Sequence, residues 1–176
     1  MTGQPPERVF GIVGFKNNGK TVLTCRLIDH LKAQGYRIST IKHAHHDADI
    51  DQPGRDSWRH RESGATEVLL STSQRWMHVH ELRQEAEPAL ADHLARMTPV
   101  DLVLVEGFKR DSHAKIEVHR AERDTPLIAH EDPTVVALAT DQEAIALDRP
   151  VFHLDDIAGI AAFMLDHLGI ARRASS

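Results

Sequence analysis

Short apolar runs of strand length alternate along this chain with stretches whose apolar residues recur at helical spacing. Val9 to Val13 is apolar throughout and predicts a strand buried on both faces, followed by a Gly/Asn loop from Gly14 to Lys20. From Thr21 to Ala33, the residues Val22, Leu23, Leu27, Ile28 and Leu31 recur as on a helix, with Gly35 as its stop. Arg37 to Lys42 predicts a strand, and the polar stretch His43 to Arg55, with its Pro-Gly pair, predicts a loop. Asp56 to Ser63 predicts a short helix closed by Gly64. Glu67 to Leu70 and Trp76 to Val79 read as strands and Pro88 to Met97 as a helix. Further on, Val100 to Val105, Lys115 to Arg120, Val135 to Ala139 and Val151 to Leu154 read as strands. Asp155 or Asp156 caps a last helix that runs to Leu168 and stops at Gly169.

Strands apolar on both faces and separated by helices imply an α/β fold, a mostly parallel sheet with helices on both faces. The elements near residues 67 to 79 and 115 to 139 are left free to be antiparallel. No repeat or long linker divides the chain, so residues 1 to 170 are expected as one domain and 171 to 176 as a disordered tail. With 176 residues the chain is long enough for a single well-buried core.

The formal charge is −5 with basic residues spread along the chain, which argues against a nucleic-acid arm or a polybasic membrane patch. One cysteine, Cys25, excludes an intrachain disulfide and a Cys-based zinc site. No apolar run approaches the roughly 20 residues that span a bilayer. The N-terminus shows no basic start followed by an apolar stretch, so a soluble cytoplasmic protein is expected.

Chemistry enters at Gly14-Phe15-Lys16-Asn17-Asn18-Gly19-Lys20-Thr21, which fits G-x-x-x-x-G-K-[ST] in full. Gly14 and Gly19 permit backbone angles closed to other residues, so consecutive N–H groups can turn onto phosphate oxygens. The helix that follows adds its N-terminal partial positive charge. Lys20 would reach the β- and γ-phosphates and the Thr21 hydroxyl would bind Mg²⁺, with Lys16, Asn17, Asn18 and Val22 lining the nucleotide. A chance match arises in about one chain in a hundred of this length, but here the motif also lies between a predicted strand and a predicted helix. The fold expected is therefore P-loop NTPase-like.

Such proteins place an acidic residue at the end of a buried strand to hold Mg²⁺. Glu106 ends the apolar run Leu102 to Val105, where ligands collect in open α/β sheets, and Gly107 next to it permits close backbone approach. Lys20 and Glu106 are thus the candidate catalytic pair. The segment from Lys42 to Asp51 adds His43, His45, His46, Asp47, Asp49 and Asp51. Imidazoles and carboxylates together suit a transition metal, and the same loop can instead supply Asp47, Asp49 or Asp51 to the Mg²⁺ shell. A plain solvated loop is the third reading. Lys115, Glu117 and His119 alternate onto one face of their strand, with Arg120 after them. That face is read as exposed, either a pterin, phosphate or partner surface or a solvated edge strand. His43, His45, His46 and Lys109 are candidates for the same role.

The phosphate loop, Ile41 to Asp47, Asp51 to Ser57, Ser63 to Ala65, Val105 to Lys109 and Lys115 to Arg120 follow in an order and spacing that resemble the molybdopterin-guanine dinucleotide biosynthesis protein B (MobB) family. The resemblance runs from Val9 to about Leu168. It implies a GTP-binding adaptor beside the guanylyltransferase that joins GMP to molybdopterin. It also implies weak GTPase activity, dependence on Mg²⁺, a homodimer and kinship with GTPases that assemble the metal centres of urease and hydrogenase. Many related proteins carry a lysine at the second position of the loop; here that position is Phe15 and the lysine is Lys16.

The base is less legible. No Asn-Lys-x-Asp signature is present, and the nearest equivalent is Ala139-Thr140-Asp141, where one carboxylate can accept from guanine N1 and N2. A polar turn after a strand is the alternative. Phe108 and Lys109 follow Glu106-Gly107 with no glutamine to position water, so slow hydrolysis is expected. Two other classes stay open. One is a small-molecule kinase with Arg55, Arg59 and Arg61 as a lid, and the other a nucleotide-gated metal carrier using His43, His45 and His46.

Overall fold

The computed structural model describes residues 8–44 and 51–173. Its strands are β1 (Val9–Val13), β2 (Ile38–Lys42), β3 (Glu67–Ser71), β4 (Trp76–His80), β5 (Leu102–Glu106), β6 (Lys115–His119), β7 (Val135–Thr140) and β8 (Val151–His153). Its α-helices are α1 (Lys20–Ala33), α2 (Asp56–Glu62), α3 (Leu90–Arg96) and α4 (Ile157–His167). The chain divides into two compact units, one from the chain up to His43 together with Met97 onward, the other Ala44–Arg96. Within the span expected from sequence as one domain, the segment between β2 and β5 carries a hairpin and helices of its own.

The larger unit is a six-stranded sheet in the order β2-β5-β1-β6-β7-β8, and every neighbouring pair is parallel. β1 and β6 are buried along their whole length, while the edge strands β2 and β8 mix exposed and half-buried positions. That difference explains the unbroken apolar run of β1 and the mixed pattern of β2. Phe10 and Ile12 of β1, Leu104 of β5, Val118 of β6 and Ala139 of β7 pack with Leu23, Leu27 and Leu31 of α1 and Ile160 and Met164 of α4. The spacing of the three leucines places them on one helical stripe. Past the end of α1, the N–H groups of Gln34 and Tyr36 return to Leu31 O, both at 3.1 Å, and Asp156 caps α4 by accepting from Gly159 N at 2.9 Å. A smaller cluster of Val13, Ala129 and Val135 forms beside a short 3-10 turn, Ile128–His130.

In the second unit β3 and β4 form an antiparallel hairpin from Glu67↔His80 to Ser71↔Trp76. Of the two regions left free to be antiparallel, only this one is so. β6 and β7 run parallel to each other and to β1.

Residues 171–173, in the stretch expected as a tail, make contacts with Tyr36 and Asp101. Tyr36 Oη donates to Ala171 O at 2.8 Å and accepts from Arg173 N at 2.9 Å. The Arg173 guanidinium lies over the Tyr36 ring at 4.4 Å and reaches Asp101 Oδ1 at 3.1 Å. A buried tyrosine needs partners for its hydroxyl, and the chain end supplies them. No helix among the described residues is long and apolar enough to cross a membrane.

Candidate nucleotide-binding site

The carboxyl ends of β1, β2 and β5 lie side by side, so the residues that follow them converge. After β1 the chain turns at Gly14, whose φ is 143°. A Cβ there would stand 2.4 Å from Val118 O of β6, so only glycine lets the two strands lie together at this point. Asn17 also has positive φ, at 65°, and α1 starts at Lys20 with no side chain capping its first turn and no acid in it. First-turn N–H groups in that condition are suited to an anion.

Side chains of the loop divide into two sets. Lys16, Asn17, Thr21 and Val22 are exposed. Asn18 is 1% exposed and faces the protein. Its Oδ1 accepts from Arg120 N at 3.0 Å and its Nδ2 donates to Thr125 Oγ1 at 3.4 Å. The Asn18 side chain therefore fastens the loop to the segment after β6. Lys20 folds back over the loop and donates from Nζ to Phe15 O at 2.9 Å. Burial holds its ammonium below the ordinary lysine value, against the attraction of Glu106, and Lys109 and Lys42 push the same way as burial.

Glu106 meets the loop from the end of β5. Thr21 Oγ1 lies 3.0 and 3.1 Å from its two carboxylate oxygens. Lys42 Nζ stands 3.5 Å from Glu106 Oε1 and 3.5 Å from Thr21 Oγ1. Lys42 joins the site without belonging to the phosphate loop or to β5. Its signal was positional, since Lys42 ends β2 and pairs in register with Glu106. Beyond Glu106, Gly107 has φ 105° and a Cβ there would come within 2.8 Å of His43 Cβ. His43 N donates to Glu106 O at 2.8 Å and its ring stacks on Phe108 at 4.5 Å, while Lys109 Nζ lies 4.9 Å from the Phe15 ring centre.

At the end of β7, Asp141 Oδ1 accepts from Ala121 N at 2.8 Å, and its Oδ2 lies 3.6 Å from Arg120 Nη1. The same Arg120 guanidinium borders Gly19, where a Cβ would sit 3.3 Å from Nε. Arg120 thus joins the phosphate loop to the candidate base reader.

The polar face of β6 is not exposed, and this corrects the surface expected there. Lys115, Glu117 and His119 are 0%, 1% and 5% exposed, because β6 is an interior strand. Lys115 Nζ donates to Asp111 O, His113 O and Thr134 Oγ1. Glu117 accepts from Ile128 N at 3.0 Å and Ala129 N at 2.9 Å, and His119 Nε2 lies 3.1 Å from Thr125 O. These side chains satisfy buried backbone and hold the loops beyond β6, so the face is not a solvated edge.

In the second unit Asp51 is buried and accepts from Ser57 Oγ at 2.9 Å, with Arg61 Nε at 3.6 Å from its other oxygen. Arg61 also reaches Glu81 at 2.9 Å, so one of the three arginines of the kinase-lid reading is engaged within its own unit. His45, His46, Asp47 and Asp49 lie outside the described residues. Among the described residues no group of three or more His, Cys, Asp or Glu can hold a metal ion.

The profile of the family called molybdopterin guanine dinucleotide synthesis protein B matches residues 9–141, from the start of β1 to Asp141. The chain is 40% identical to a molybdopterin-guanine dinucleotide biosynthesis adapter protein of Haemophilus influenzae, over 93% of this chain and 90% of that one. It is 36% identical to the adapter protein of the same description from Escherichia coli, over 94% and 96%. A crystal structure of molybdopterin-guanine biosynthesis protein B superposes with a TM-score of 0.71, covering 90% of this chain and 99% of that chain at 24% identity. A homologue from Bacillus stearothermophilus gives 0.68 at 24% identity, covering 92% and 98%, and both likenesses concern the P-loop NTPase-like fold alone. Matched along three quarters of its length by that profile and along nearly all of it by those adapter proteins, the chain belongs to the molybdopterin guanine dinucleotide synthesis protein B (MobB) family.

Proposed function

We propose that this chain is a GTP-binding adapter in molybdopterin-guanine dinucleotide biosynthesis, with slow Mg²⁺-dependent GTPase activity, acting beside the guanylyltransferase as a homodimer. The observation that carries the nucleotide part is the meeting of Thr21 and Glu106 at the mouth of the phosphate loop, with the uncapped first turn of α1 behind them. The adapter part rests on the family and on the names of the two bacterial relatives.

The donor set fits the ion. A hydroxyl and a carboxylate are hard oxygen ligands of the kind Mg²⁺ takes alongside phosphate oxygens and water. Thr21 and Glu106 would hold it, and when bound it would offset the negative charge of the phosphates. The loop backbone and the α1 N-terminus bind and orient the phosphates, and Lys20 leaves Phe15 O to meet them. Near the site Phe108 and Lys109 occupy the positions after Gly107, and neither orients a water as glutamine would, which supports slow turnover.

Affinity purification of the tagged protein from its own cells tests the adapter reading. Recovery of the guanylyltransferase and molybdopterin with it is the expected result. Recovery of neither, from cells making the cofactor, would overturn it.

A further inference from the structure

Two lysines flank the phosphate loop, and they face different partners. Lys20 Nζ is bound to the loop itself, at Phe15 O. Lys42 Nζ is equidistant, at 3.5 Å, from the Thr21 hydroxyl and the Glu106 carboxylate, the two groups suited to a divalent ion. Its backbone is fixed there, because Lys42 and Glu106 are register partners in parallel strands and His43 N donates to Glu106 O at 2.8 Å. The side chain is free to leave, being 60% exposed on a four-carbon stem.

We propose, building on the nucleotide-site reading above, that Lys42 is a stand-in cation. Its ammonium stands against the hydrogen-bonded Thr21–Glu106 pair until a metal-bearing nucleotide displaces it.

The physical argument has two parts. Glu106 is 9% exposed beside a loop shaped for a triphosphate, so nucleotide bound without metal would bring phosphate charge against a carboxylate. An ammonium between them offsets that repulsion and supports metal-free binding. When Mg²⁺ arrives, two cations near one carboxylate repel each other, and the lysine is the one on a flexible tether. Lys42 therefore weakens the apparent advantage of Mg²⁺ from both directions, by aiding metal-free binding and by competing with the ion.

The test is the ratio of nucleotide affinity in Mg²⁺ to that in EDTA, read with N-methylanthraniloyl-GTP by fluorescence titration. In Lys42→Met the ratio should rise by about threefold, the scale of an exposed ion pair, while Lys42→Arg stays near the parent because it restores the charge. A ratio in Lys42→Met equal to or below the parent's overturns the inference. If the parent is itself Mg²⁺-dependent, that outcome leaves the nucleotide site standing. A parent that binds no nucleotide removes both.

Discussion

The Thr21 hydroxyl and the Glu106 carboxylate, 85 residues apart in the chain, stand within hydrogen-bonding distance through both carboxylate oxygens. The contact joins the first turn of α1 to the end of β5, so a ligand that needs both finds them already together. Thr21→Ala and Glu106→Gln should each lower the Mg²⁺ enhancement of GTP binding by about tenfold, the value of one charge-assisted contact. Binding in EDTA should change less. If Glu106→Gln keeps the full enhancement in titration calorimetry, the ion is held by another carboxylate, with Asp47 and Asp49 the first to replace.

The buried carboxylate of Glu117 makes a prediction about stability. It accepts from two consecutive backbone N–H groups, at Ile128 and Ala129. Glu117→Ala leaves both donors buried without that acceptor and should cost about 3 kcal/mol in urea unfolding, with Glu117→Gln intermediate. A loss below about 1 kcal/mol in Glu117→Ala would show that these two hydrogen bonds do not hold the 128–129 turn.

His113 predicts how stability responds to acid. Its ring packs against Gly11, and among the described residues neither ring nitrogen has a hydrogen-bond partner. Burial, aided by the Lys115 ammonium and opposed by Asp111 and Asp132, pushes the imidazole from 6.5 down to about 4. Between those two values the unfolded chain binds the extra proton and the folded chain does not. This histidine's contribution to stability is therefore complete above pH 6.5 and falls as the pH drops toward 4. His113→Leu should flatten the decline of the urea midpoint over that range and leave the slope above it unchanged. Identical slopes for parent and variant would show that His113 titrates normally.

Asp141 is the candidate reader of guanine, and Asn is its cleanest replacement, since an amide oxygen can still accept from Ala121 N. Asp141→Asn should lower GTP affinity about tenfold and bind xanthosine triphosphate better than the parent does, because a site built to bond a base rejects one lacking the donors. Asp141→Ala should narrow the gap between GTP and ATP. Competition titrations with the three nucleotides measure this, and an unchanged preference for GTP in both variants places base recognition elsewhere.

These residues differ in how readable they were. The pairing of Lys20 and Thr21 with a strand before and a helix after follows from spacing alone, and Glu106 follows from the apolar run it ends. Alternation along Lys115, Glu117 and His119 told which residues share a face but not what covers it. The covering comes from Ile128, Ala129, Thr134 and Thr140, and no local pattern ties these to β6. Lys42 was missed for a related reason, since its place beside Glu106 depends on the register between β2 and β5. The docking of Arg173 on Tyr36 is likewise a contact between distant segments.

The most direct measurement is a calorimetric titration of GTP with Mg²⁺ into the parent protein and into Lys20→Ala. The Lys20 ammonium is held at Phe15 O on the loop, so its removal should leave the fold intact by circular dichroism. The parent should bind GTP, and the variant should lose about a hundredfold or more in affinity, because the phosphates lose a charged partner in a partly desolvated site. A folded Lys20→Ala protein that binds GTP as the parent does would contradict the phosphate-loop reading on which the account rests.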